Sequence, residues 1–127
     1  MKSTTFFHRS RRMFVILNDK LFIAPENYSF SHRKWLEREG LSKEGDTELI
    51  KTVTRGFVDS EGIYFYKGAD FGFDEESEAL VLKHLKELVE KLKISQKTHL
   101  FGGMVKGKMG DKWPPKKDFG AIKALLG

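Results

Sequence analysis

The stretch "RGFVDSEGIYFYKGADFGFDEESEALVLKHLKELVEKL", Arg55 to Leu92, decides the fold. It opens inside a run, Ile50–Val58, that is rich in β-branched and aromatic residues. Asp59-Ser60-Glu61-Gly62 is a set of turn formers, and Ile63–Tyr66 is again strand-like, so the segment predicts a β-hairpin. Lys67 to Gly72 is a loop carrying two glycines. The period then changes. Val81, Leu82, Leu85, Leu88, Val89 and Leu92 recur at steps of three and four, which places them on one helical face. Asp74 stands where an N-cap belongs. Glu75, Glu76 and Glu78 suit the positive end of the helix dipole, and Lys83, Lys86, Lys91 and Lys93 suit the other end.

Working outward toward the N-terminus, Arg11–Leu17 and Leu21–Ala24 flank the polar turn Asn18-Asp19-Lys20, a second hairpin that Pro25 ends. After the loop 26–30, Ser29 or Ser31 can cap a short helix near 31–39 with Trp35 and Leu36 as its buried stripe, and Gly40 supplies the stop. Residues 41–47 are a polar loop. Beyond the long helix, Thr98–Val105 reads as a strand broken at Gly102-Gly103, and Asp118–Leu126 as a short helical tail. The expected fold class is therefore α+β. An antiparallel sheet of about five strands packs against one long helix (about 74–93), with the short helix near 31–39 at one edge. The 127 residues suit a single domain over 1–127, with 1–9 as a flexible arm and 106–120 as a basic Gly/Pro loop.

Composition narrows the function classes. With 39 % apolar and 32 % charged residues the chain can build a core, and eleven Phe supply much of its area. There is no cysteine, which excludes disulfides and thiolate metal sites and suits a cytoplasmic setting. Apolar runs such as Met13–Leu17 are too short to span a bilayer, and the basic N-terminus lacks the apolar core of a signal peptide. Charge is unevenly placed. Residues 1–12 carry +4 through Lys2, Arg9, Arg11 and Arg12, and residues 104–127 carry +4, while the stretch between them is net −3. If the two basic ends meet, they form one surface that attracts an anion.

Gly102 to Lys108 reads G-x-x-x-x-G-K, one residue short of a phosphate-cradling P-loop. Met109 stands where a Ser or Thr should ligate Mg²⁺, and Gly110 with Pro114-Pro115 opposes the helix such a loop must start. A looser chemistry survives. Gly102 and Gly103 allow close backbone approach, Lys106, Lys108 and Lys112 meet phosphate, Trp113 offers a ring for a base, and Arg11 and Arg12 add charge. His8, His32, His84 and His99 show no metal-ligand spacing, and His84 with Glu87 reads as a helix-surface pair. Asp70 and Asp74 could pair for acid–base work, but Asp74 already has a capping role. Tyr64 and Tyr66 share a strand face, beside Arg55 and Lys67, either as cross-strand packing or as a ligand platform.

The stretches "RRMFVILNDKLFIAPENYSFSHRKWLEREG", "RGFVDSEGIYFYKGADFGFDEESE" and "FGGMVKGKMGDKWPPKKDFG" resemble small bacteriophage and prophage proteins of Gram-positive bacteria. The resemblance implies a viral protein in the host cytoplasm, where small accessory proteins often antagonise host defence by binding host enzymes or sequestering nucleotide signals. Together these readings predict a protein that is not an enzyme and uses no cofactor or metal. It binds an anionic, nucleotide-type small molecule through Gly102, Gly103, Lys106, Lys108, Lys112, Trp113, Arg11 and Arg12. The alternative is a nucleic-acid-binding or host-protein-binding inhibitor acting through the same basic face. Self-association is compatible with either, and a membrane partner with neither.

Overall fold

The computed structural model describes residues 12–26, 28, 31–67, 75–103 and 117–127. Six strands form one mixed sheet: β1 (Arg12–Leu17), β2 (Lys20–Ile23), β3 (Thr54–Val58), β4 (Gly62–Lys67), β5 (His99–Gly102) and β6 (Lys117–Ala121), in the order β2-β1-β3-β4-β5-β6. Helices α1 (His32–Arg38), α2 (Glu75–Lys83), α3 (Leu85–Leu92) and α4 (Ile122–Leu126) complete the domain, with a short 3-10 turn at Leu49–Lys51.

The first hairpin turns in two residues, because Leu17 pairs directly with Lys20. Asn18 and Asp19 both take positive φ, 53° and 63°, the conformation of a type I′ turn and one that Asn and Asp tolerate. Lys20 therefore opens β2 and is not part of the turn. At α1, Ser31 accepts from the Lys34 amide. Gly40 (φ 76°) closes the helix, with its amide on Glu37 O and the Leu41 amide on Leu36 O.

The α+β class holds, and several details differ from the sequence expectation. The sheet is not wholly antiparallel. β4 and β5 run parallel, because α2 and α3 form the crossover that returns the chain to the same end of the sheet. The long helix is interrupted at one residue, His84. Its amide still bonds Leu80 O and its carbonyl still accepts from Leu88, so the turn is irregular but the stripe Ser77, Val81, Leu85, Leu88 continues into the core. Leu82, expected on that stripe, is exposed. The loop expected over 106–120 ends earlier, since Lys117–Ala121 pairs with β5 and the helical tail begins only at Ile122. The extra residue of the β5–β6 pairing sits in β6, between Asp118 and Gly120, not at Gly102-Gly103. The arm over 1–9 and the Asp74 cap lie outside the described residues.

Alternation along the strands divides the core into two layers. Phe14, Ile16, Ile63, Phe65 and Leu100 face α2, α3 and α4, meeting Val81, Leu85, Leu88 and Ile122. Met13, Val15, Phe57, Tyr64 and Tyr66 face the other way, toward Trp35 and Leu36 of α1. His32 reinforces that second layer, with Nε2 hydrogen-bonded to Gly56 O at 2.8 Å and its ring edge-on to Tyr66. Gly56 is required there, because a Cβ would lie 1.8 Å from Tyr64 O.

Candidate functional site

The register of three strands builds a row of rings on the α1 side of the sheet. Phe57 pairs with Tyr64 across β3–β4, and Tyr64 pairs with Phe101 across β4–β5. Both contacts are stacked at 5.0 Å between centroids. His99, two residues before Phe101 and so on the same face, stacks on it at 5.9 Å. Gly62 makes room for this arrangement. A Cβ there would stand 2.6 Å from the Phe101 ring and 2.9 Å from the His99 carbonyl.

Exposure divides the row. Phe57 and Tyr64 are buried at 5 % and 3 %, whereas Phe101 is half-buried and the His99 side chain is 45 % exposed. The accessible part of the platform is therefore the ring pair of β5. Asp118, opposite Phe101 on β6, brings its carboxylate to 3.3 Å from His99 Nδ1. The same carboxylate accepts from the Gly120 amide at 2.6 Å, a local turn that fixes its position. With Nδ1 directed at a carboxylate, the imidazole is left with Nε2, which has no hydrogen-bond partner among the described residues. Because a carboxylate only accepts, Nδ1 carries the hydrogen, and Nε2 is an acceptor in the neutral ring and a donor only in the imidazolium form.

Of the residues expected to form the site, the structure describes Arg12, Gly102 and Gly103, and it does not bring Arg12 to the two glycines. Lys106, Lys108, Lys112, Trp113 and Arg11 lie outside the described residues, as does Asp70. Gly102 and Gly103 are buried, and the close backbone approach they permit is to the sheet itself. Gly102 pairs with Phe65 and with Lys117, and the Gly103 amide (φ 81°) donates to Phe65 O at 2.7 Å. Arg12 sits elsewhere. It opens β1, which β3 and β4 separate from β5, and at about 4.8 Å per strand step the backbones stand about 14 Å apart. Its guanidinium donates through Nε and Nη2 to Ala24 O at 3.3 and 2.9 Å. Lys117 turns to the opposite face of the sheet from His99, over the Phe119 ring and 3.9 Å from Glu78.

Of the tyrosine pair, Tyr64 and Tyr66 are both buried, so the packing reading of that face holds for them. Arg55 is buried with its guanidinium 4.6 Å from the Tyr66 ring centroid. His84 does contact Glu87, at 3.2 Å, and also reaches the first hairpin. Among the described residues no group of three or more His, Asp or Glu side chains is placed to hold a metal ion, and no helix is long and apolar enough to cross a membrane.

Compared with protein-family models, with curated proteins and with solved structures, the chain matches none.

Proposed function

We propose that this is a non-enzymatic binding protein for an anionic, nucleotide-type small molecule, with the base against the His99–Phe101 pair and the phosphate met by lysines of the segment 104–116. The observation that carries the reading is the half-exposed stacked ring pair on β5, the strand from which that segment leaves and beside which it returns, Gly102 being paired with Lys117. Stacking on an aromatic face is worth roughly 1–3 kcal/mol per base, and ring plus positive charge is the minimum a nucleotide needs. His99 Nε2 adds an acceptor at the edge of the platform, and a donor when the ring is in its imidazolium form. In the phage setting that the sequence resembles, such a protein would sequester a host nucleotide signal in the cytoplasm.

A nucleic-acid-binding role through the same basic stretch is the second reading, and sheet-borne rings in a row speak for it. Burial of Phe57 and Tyr64 speaks against it, because it leaves stacking surface for one base rather than for a strand. A host-protein partner is a further outcome of the same test. Calorimetry with ADP, adenosine and inorganic phosphate should show ADP binding more tightly than either part, and ADP should be recovered unchanged after heat denaturation. A converted product overturns the binding-only reading. Binding of a single-stranded oligonucleotide with a steep salt dependence, and none of ADP, favours the alternative.

A further inference from the structure

A cavity of about 260 Å³ opens where the β3–β4 turn, the end of α3 and the start of β1 converge. Its apolar lining is Val58, Leu92 and Ile94, and its polar lining includes Arg12, Lys93 and Asp59 with the hydroxyl residues Ser60, Ser95 and Thr98. It lies near His99 along the sheet but on the other face: Val58, Leu92 and Ile94 belong to the layer against α2 and α3, whereas Phe101 belongs to the layer on the α1 side.

The charges in this cavity are incompletely matched. The half-buried Arg12 places both of its hydrogen bonds on one neutral acceptor, Ala24 O, and has no carboxylate partner among the described residues. A guanidinium has five N–H donors, so most of its capacity is unspent. Lys93 likewise has no ion pair among the described residues. Asp59 is already committed to the turn, its Oδ1 accepting from the Glu61 and Gly62 amides at 2.8 and 3.0 Å. A partly desolvated cation without a counter-charge is costly unless something anionic or water supplies it.

Two features limit the anion. The cavity is below the roughly 300–1,000 Å³ of sites for drug-sized ligands, so a nucleotide is too large. The C-terminal end of α3 adjoins it, with Lys93 as the cap, and that end of a helix carries partial negative charge. With the Asp59 carboxylate beside it, a doubly charged group is disfavoured more strongly than a singly charged one. We propose that this cavity is a second binding site, for a small organic monocarboxylate. Its charged end pairs with Arg12 and its hydrocarbon body lies on Val58, Leu92 and Ile94. The proposal is independent of the nucleotide reading.

Amide NMR shifts of Ser60, Lys93, Ser95 and Thr98 test it in the full chain, with isovalerate as the probe and isoamyl alcohol as its uncharged counterpart. Isovalerate should move these signals saturably, and the alcohol should bind about tenfold or more weakly, the loss of a charge-assisted contact. Arg12→Gln should cost a similar factor. Because Arg12 also ties β1 to Ala24, two variants that leave that bond intact accompany it. Ser60→Trp, at an exposed turn position, should fill the cavity and abolish isovalerate binding, while ADP binding at the ring pair is unchanged. Lys93→Gly should lower isovalerate affinity only slightly, Lys93 being exposed. Equal binding of acid and alcohol, binding that survives both Arg12→Gln and Ser60→Trp, or no saturable shift overturns the proposal.

Discussion

Asp19 Oδ1 lies 3.1 Å from His84 Nε2, so the tip of the first hairpin is joined to the point at which α2 gives way to α3. Lys83 binds the same Asp19 carboxylate, and the other ring nitrogen of His84 faces Glu87, which Lys91 also holds at 3.0 Å. The interruption of the helix thus falls where an element 65 residues away in sequence docks on it.

This cluster sets an acid dependence. Lys83 first, then His84, keeps the Asp19 carboxyl below its usual range, and Lys91 first, then His84, does the same for Glu87. Their unfolded values, 3.8 and 4.5, lie above the folded ones, so on acidification the unfolded chain takes up protons first. The stabilisation is complete above the unfolded values and is lost as the pH falls through the folded ones. Urea midpoints should be lower at about pH 3 than at about pH 6, and Asp19→Asn should shrink that difference. An unchanged pH dependence in the variant would dismiss Asp19 as its source.

Gly56→Ala should destabilise the protein by about 3 kcal/mol or more, since the new methyl group meets backbone and not a yielding side chain. Gly120→Ala is the comparison. A Cβ there would meet no atom within 4 Å, but φ is 92°, so the expected cost is about 1 kcal/mol of backbone strain. Denaturant unfolding of both variants measures the ratio, and similar losses would contradict the contact geometry.

Lys93 occupies the left-handed region at the end of α3, φ 54° and ψ 48°, without being glycine. Lys93→Gly should therefore raise stability by about 0.5–1 kcal/mol, relief of αL strain outweighing the added chain entropy. A lower melting temperature in the variant would show that the lysine side chain contributes more than its backbone costs.

Phe101→Ala should weaken ADP binding about tenfold, the lower half of the range for a stacked base, while Phe101→Tyr keeps most of it. Gly62→Ala should act in the same direction without touching the ligand, because its methyl group displaces the Phe101 ring. Calorimetry with circular dichroism as the folding control reads both, and undiminished affinity in Phe101→Ala removes the platform from the proposal.

The lysines of the near P-loop should share their effect. Lys108→Ala should reduce ADP affinity about as much as Lys106→Ala or Lys112→Ala, because no Ser or Thr follows Lys108 to complete a phosphate-and-metal motif. Trp113→Ala tests whether a second ring closes on the base. A loss confined to Lys108, with Mg²⁺-dependent turnover, would reinstate the P-loop chemistry.

Much of this fold is written locally. Asn18-Asp19 announces a turn, Ser31 a cap and Gly40 a stop, and each acts as its chemistry requires. What local chemistry does not carry is partnership. The apolar period runs through His84 unbroken, so nothing in it marks the residue on which the Asp19 tip docks. β6 reads "KDFGA", poor in β-branched residues, and becomes a strand because β5 offers it an edge. His99 and Asp118 are nineteen residues apart, and only the β5–β6 pairing brings them together. The ring row is legible in part. Tyr64 on an alternating strand is visible, but its stacking on Phe101 depends on a parallel pairing that no periodicity reveals.

That parallel pairing has a consequence for the order in which the molecule is completed. β1 to β4 are joined by antiparallel pairings within residues 12–67, whereas β5 can reach β4 only after the chain of both crossover helices has been made. A chain emerging from its N-terminus first would thus hold Phe57 and Tyr64 in place while their stacking partner Phe101 was still missing. The accessible end of the ring row is therefore acquired after the β1–β4 half of the sheet, with only β6 and α4 still to follow, so its presence reports that the crossover has been made.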